Sequence, residues 1–259
     1  MIITLVLVFF PLIAIGLSLG FGLPYLVSAL LIYFLPGFIL DLTYGTWRMF
    51  VRHFLFAAIV SIPFAIIVDF IGTSSHLWYV PHSIFASRFM GVLPYEDFFW
   101  MIFAIYTMVT LYDYFKRARS HDAPLINRRM WRFIIPAILA LACFFILAYA
   151  DPAFFIWNTP WAYVFLGLVF FALPAIVFFF LAKYSWKHAI RVAGYFLYVT
   201  IILEIVGSFL KDWIFVGSYL LSPLTIRAVT IPYEELFFVG VIGPLAAIGF
   251  YEYFDPITK

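Results

Sequence analysis

Pro232-Tyr233-Glu234-Glu235-Leu236-Phe237-Phe238 sets two adjacent carboxylates behind a proline at the mouth of an apolar segment. A near-copy stands upstream, Pro94-Tyr95-Glu96-Asp97-Phe98-Phe99-Trp100. Each opens a stretch long enough to cross a bilayer, where ionisable side chains are costly and read as functional by default. Two such stretches with the same flanks predict a chain built to bring them together.

The composition around them belongs to a polytopic membrane protein. Of 259 residues, 66% are hydrophobic, 23% aromatic and 11% charged, against about 25% charged in a soluble domain. The net charge of +2 gives no reason to expect a nucleic-acid partner, because the basic residues fall in predicted loops. Cys143 is the single cysteine, which excludes an intrachain disulfide or a cysteine metal site. Met1-Ile2-Ile3-Thr4 lacks the basic start of a signal peptide, so the first apolar run is expected to stay as a helix.

Apolar segments of spanning length, about 17–25 residues, fall near 2–20, 24–42, 50–72, 95–115, 132–150, 161–182, 190–210 and 232–251. The predicted fold class is therefore all-α, with about eight transmembrane helices. Arg48, Arg52, Lys116, Arg117, Arg119, Arg128, Arg129, Arg132, Lys183, Lys187, Arg191 and Lys259 fall on one side, against Arg88, Lys211 and Arg227 on the other. The positive-inside rule then predicts a multi-pass cell-membrane protein with both termini cytoplasmic and the loops at 73–93 and 211–231 outside.

The chain repeats itself. Tyr25 and Pro36 match Tyr163 and Pro174 at an offset of 138; Asp69, Gly72 and Trp78 match Glu204, Gly207 and Trp213 at 135. Pro94, Tyr95, Glu96 and Asp97 match Pro232, Tyr233, Glu234 and Glu235, again at 138. The three-residue slip falls in outward loops, which tolerate insertion. The expected division is an extra helix at 1–23, a first repeat at 24–115, a basic loop and linking helix at 116–160, and a second repeat at 161–259. Both units start outside, so they are parallel repeats about an axis along the membrane normal, expected to close around a shared cavity.

Each unit supplies acids on one side of the membrane: Asp69 with Glu96 and Asp97, Glu204 with Glu234 and Glu235. Neighbouring helical residues differ by about 100°, so the two acids of a pair cannot both face the cavity; one is free to serve a loop. Acids in the first turn suit the helix dipole and need no further role, but Asp69 and Glu204 sit at the opposite helix ends, where the dipole disfavours an anion. An acid so placed can hold a proton, as a general acid must. Trp78, Trp213, Tyr95, Phe99, Tyr233 and Phe237 recur with the acids. Aromatic faces beside an acid stabilise a passing cation without trapping it, a layout suited to carbocation chemistry on a lipid-like olefin and to substrate binding.

No glycine-rich nucleotide motif occurs, and no aspartate run of the kind that holds magnesium and diphosphate; neither cofactor nor metal is expected. His53, His76, His82, His121 and His188 are scattered in or near predicted loops without paired spacing and read as interfacial residues. Lys116-Arg117-Ala118-Arg119 sets topology and suits anionic lipid headgroups.

Two three-helix units, each with Pro-x-Glu-Glu/Asp followed by aromatics and preceded by Asp/Glu-x-x-Gly, resemble the membrane-integral lycopene cyclase family, the archaeal and fungal type found in some bacteria as two small subunits. The likeness covers roughly 24–251. It implies redox-neutral cyclisation of the ψ-ends of lycopene to β-ionone rings, an intramolecular lyase or isomerase activity in carotenoid biosynthesis, without flavin. The family's motif acids fall on Glu96, Asp97, Glu234 and Glu235. The expectation is that Glu96 or Glu234 protonates a terminal double bond, a second carboxylate removes a ring proton, and Asp69 and Glu204 tune or relay it. Implied partners are a carotenoid substrate, membrane lipids and other carotenoid-pathway enzymes. Asp97 and Asp69 depart from the Glu of the other unit, which favours one site served by both units.

Alternatives remain open at this level. The same acids serve a cyclase forming ε or γ rings or acting on a longer carotenoid, and tandem repeats with buried acids also suit a carotenoid-binding protein or a proton-coupled carrier. A retinal Schiff base lacks a lysine within a helix core, and a carrier would need acids on the cytoplasmic side, where none is apparent.

Overall fold

The computed structural model describes residues 2–117, 124–182, 185–227 and 229–254. Eight helices follow one another: α1 (Ile2–Phe21), α2 (Tyr25–Tyr44), α3 (Trp47–Ser74), α4 (Tyr95–Lys116), α5 (Trp131–Ala150), α6 (Ala162–Leu181), α7 (Trp186–Leu210) and α8 (Tyr233–Phe254). Among the described residues seven are long and apolar enough to cross a bilayer, while α1 offers the shorter run Leu5–Phe21. The chain is an all-α polytopic membrane protein. Arg119, Lys183, Lys259 and His121 lie outside the described residues.

Helix boundaries run past the apolar stretches where caps rather than hydropathy decide them. The Thr46 hydroxyl accepts from the Met49 N–H at 3.3 Å, so α3 starts at Trp47 and carries Arg48 and Arg52 in its first turns. Likewise Lys187 and Arg191 are helical, in α7. This capped start gives α3 28 residues, about 42 Å of helix, enough to project polar ends beyond a hydrocarbon layer of about 30 Å.

Three of the helices widen by one residue at matched places. Leu30–Phe34 in α2 and Leu168–Ala172 in α6 are π-turns, 138 residues apart, and Phe238–Ile242 in α8 is a third. Each closes with a bond from the residue just before a proline to the carbonyl five back: Leu35 to Leu30, Leu173 to Leu168, Gly243 to Phe238. Pro36, Pro174 and Pro244 have no N–H to continue the ordinary ladder, and the chain takes up the slack as a π-turn. Tyr106 occupies the position matching Pro244 in the first unit, and α4 is regular there.

Three further points decide where the site forms. Strands β1 (Trp78–Tyr79) and β2 (Ile214–Phe215) pair antiparallel, Trp78 opposite Phe215, tying the loop after α3 to the loop after α7. A hairpin of β3 (Leu224–Ile226) and β4 (Val229–Ile231) extends the second loop. Helix α5 lies at the periphery, largely exposed and packed on α3.

Candidate active site

Gly72 and Gly207, each three residues after an acid, are required by what lies on them: a Cβ at either would collide with the indole of Trp78 or Trp213 respectively. Each glycine thus lets a tryptophan lie flat across the end of its helix. The tyrosines then cross over. Tyr25 of the first unit meets Trp213 of the second, with ring centroids 4.9 Å apart, and Tyr163 of the second meets Trp78 of the first at 5.6 Å. The two units therefore interlock through crossed tyrosine–tryptophan pairs that border the same space as the acids.

The indoles border a chamber whose free space, including its opening, is about 700 Å³, lined from both units. Its carboxylates are Asp69, Asp97, Glu204 and Glu235, each less than a tenth exposed. Asp97 and Glu235 come from the first turns of α4 and α8, Asp69 and Glu204 from the last turns of α3 and α7, so opposite helix ends converge on one space. The Trp213 indole N–H donates to Glu204 Oε2 at 2.9 Å, and Tyr25 reaches Asp97. Asp69 Oδ2 and Asp97 Oδ2 are buried without a partner. The rest of the wall is aromatic and aliphatic, and Trp100, Met101, Phe171 and Val239 also border a second, almost wholly apolar cavity of about 580 Å³ deeper in the bundle. A chamber holding four carboxylates thus adjoins an apolar cavity across a shared wall of Trp100, Met101, Phe171 and Val239.

Glu96 and Glu234, the first acids of the pairs, are elsewhere. Glu96 accepts from the Ser83 hydroxyl at 2.9 Å and the Ile84 N–H at 2.6 Å; Glu234 accepts from the Leu221 N–H at 3.0 Å. Both hold the loops that precede their own helices, and neither lines the chamber. Of the aromatic residues expected at substrate, Trp78 and Trp213 line it, whereas Tyr95 and Phe99 pack on Phe85, and Tyr233 and Phe237 border a surface groove with Glu234. Tyr25, Tyr163 and Trp100 were not singled out as site residues. The signal was present: counting one turn from Asp97 leads to Trp100 and Met101 on the same helix face, and both tyrosines obey the 138-residue offset.

The opposite end of the bundle corrects two expectations. His53 is not interfacial but fully buried in α3, with Nδ1 3.3 Å from Asp41 Oδ2 and Nε2 3.1 Å from Asp113 Oδ2. Asp41, His53 and Asp113 also supply the acidic group expected to be missing there. Asp69 is sixteen residues from His53 on α3, about 24 Å by helix rise, so this cluster is separate from the chamber. Its members come from three helices and share no sequence spacing. No cluster of metal-ligating geometry occurs among the described residues.

A family model described as Lycopene cyclase matches residues 23–115 and 160–254. The chain belongs to the lycopene cyclase family. The two matched stretches carry all four chamber acids and leave out α5. Membership makes cyclisation the reaction class and a carotenoid the substrate class. No curated protein and no solved structure gives a match.

Proposed function

We propose that this lycopene cyclase family member closes the ψ-ends of lycopene to β-rings by acid–base catalysis, without redox change, in the chamber between the two units. The observation that carries the reading is the convergence of Asp69, Asp97, Glu204 and Glu235 on one aromatic-walled space that shares part of its wall with an apolar cavity. A protonated chamber acid adds its proton to the terminal double bond of the substrate. The tertiary cation that results is attacked by the internal double bond, forming the ring carbon–carbon bond, and a second chamber carboxylate removes a ring proton to restore the alkene. One proton enters and one leaves, so transfer among the four acids resets the site without an outside supply.

Asp97 and Glu235, rather than Glu96 and Glu234, are the motif acids assigned to substrate in this reading, with Asp69 and Glu204 as their proton partners. Trp78, Trp213 and Trp100 flank the cation, which their ring faces stabilise. A single chamber handles one end at a time, so a two-ringed product passes through a one-ringed intermediate. The buried Asp41–His53–Asp113 cluster removes one objection to a proton-coupled carrier, but family membership and the apolar cavity beside the acid chamber favour the enzyme.

The test is pigment analysis in lycopene-accumulating bacterial cells. The wild-type chain is expected to yield β-ringed product, and Asp97→Asn with Glu235→Gln to leave lycopene untouched in a protein that still accumulates in the membrane. Persistence of lycopene with folded wild-type protein would move the substrate to another carotenoid or the chain to a binding role. Full activity in the double variant would refute the chamber assignment.

A further inference from the structure

Between α1 and the ends of α2, α3, α4 and α7 that lie away from the chamber, a crevice opens. Its free space is about 1740 Å³, including its open mouth. Its floor is Asp41, His53 and Asp113. The Tyr106 hydroxyl donates to Asp41 Oδ2 at 2.7 Å and the Tyr251 hydroxyl to Asp113 Oδ2 at 2.6 Å, so both carboxylates are held rigidly around one imidazole. Asp113 is only 1% exposed, and its Oδ1 has no partner. Lys116, one turn further along α4, is committed to Glu252. On the other side of the crevice the Tyr195 hydroxyl is also buried without a partner. The rim carries Arg117, which caps α4, and Arg191, whose guanidinium lies over the Phe115 ring. Leu7, Leu40 and Met49 make an apolar wall.

The crevice therefore combines an acceptor lacking a donor at its floor, a donor lacking an acceptor at its side, and two cations at its mouth. A single ligand that meets all three must present a hydrogen-bonding cation inward and an anion outward. An unmatched buried polar group costs stability until it is matched. The crevice lies at the level of helix ends rich in basic residues, where headgroups sit, and the apolar wall on α1 suits a chain descending beside it. We propose that it is a binding site for a phospholipid whose headgroup carries a primary ammonium, with the ammonium at Asp113 and Asp41 and the phosphate at Arg117, Arg191 and the Tyr195 hydroxyl. A choline headgroup has the charge but no N–H to donate, and a glycerol headgroup donates a hydroxyl but brings no positive charge to Asp41 and Asp113, so neither supplies the charge-assisted bond of an ammonium.

The experiment uses the full chain in nanodiscs of phosphatidylethanolamine, phosphatidylcholine and phosphatidylglycerol in equal amounts with identical acyl chains. Lipids retained after stepwise delipidation are counted by native mass spectrometry. The ethanolamine lipid is expected to be enriched about tenfold over the choline lipid, the factor carried by one charge-assisted hydrogen bond. Asp113→Asn is expected to abolish that preference. The paired rim variant Arg117→Gln, Arg191→Gln, on exposed residues outside the buried cluster, is expected to lower retention of all three phospholipids. Retention in the proportions supplied, a preference that survives Asp113→Asn, or total retention unchanged by the rim variant overturns the proposal. The readout is independent of cyclisation, so its failure leaves the chamber reading intact.

Discussion

Replacing Gly207 by alanine tests how the chamber is roofed. The added Cβ would meet Cη2, Cζ2 and Cε2 of Trp213 well inside the 3.0 Å that real Cβ atoms essentially never undercut. The indole cannot easily retreat, because its N–H is bound to Glu204 and its ring packs on Tyr25. Overpacking costs about 1–3 kcal/mol, and a buried acceptor that loses its donor about 1–3 more. Alanine is a better helix former than glycine by about 1 kcal/mol, which offsets part of this and leaves a net loss of roughly 1–5 kcal/mol. Gly194 supplies the control on the same helix, since a Cβ there meets nothing within 4 Å; Gly194→Ala should be neutral or stabilising by up to about 1 kcal/mol. The assay is thermal unfolding in detergent together with conversion of lycopene. Gly207→Ala should unfold at lower temperature and lose most turnover, because the displaced indole enters the chamber. Equal stability and activity in the two variants would refute the packing argument.

Glu96→Gln keeps an oxygen for the Ile84 N–H and offers its amide to the Ser83 hydroxyl, so stability and turnover should stay close to wild type. Glu96→Ala strands both loop donors and should cost about 1–3 kcal/mol; equal damage from the two variants, in melting and conversion assays, would contradict the loop-holding role. Asp212, just beyond α7, is buried with Oδ2 unpartnered, and burial pushes its carboxyl up to about 7. The unfolded chain loses that proton near pH 4, so stability falls as pH rises from about 4 to about 7 and is flat above. Asp212→Asn should therefore be more stable than wild type at pH 8, by on the order of 2 kcal/mol, with the gap closing towards pH 4; a gap of the same size at both pH values would count against the burial argument.

Hydropathy and spacing are local properties of a chain, and what depended on them was legible. Eight apolar runs became eight helices, and the 138-residue offset reappeared as matched π-turns before Pro36 and Pro174. The importance of the six acids followed from their cost inside a membrane. Helical geometry showed that Glu96 and Asp97 could not face the same way, but which one turns inward depends on how α4 is rotated against α3 and α7. That rotation is set by packing, with Gly72 and Gly207 admitting the indoles that fix the helix ends.

The crossed pairing of Tyr25 with Trp213 and Tyr163 with Trp78 was likewise invisible to a reading of each unit alone, because it exists only across the interface. The cluster at the other end of the bundle was the least legible of all. Asp41, His53 and Asp113 are separated by 12 and 60 residues and sit on three helices, each within an otherwise apolar or basic stretch. By itself the sequence determined a membrane fold of two repeats carrying acids at one end. Only the tertiary structure, by bringing distant helix faces into van der Waals contact, decided that Asp97 and Glu235 share the chamber with Asp69 and Glu204, and that a second polar centre lies at the other end.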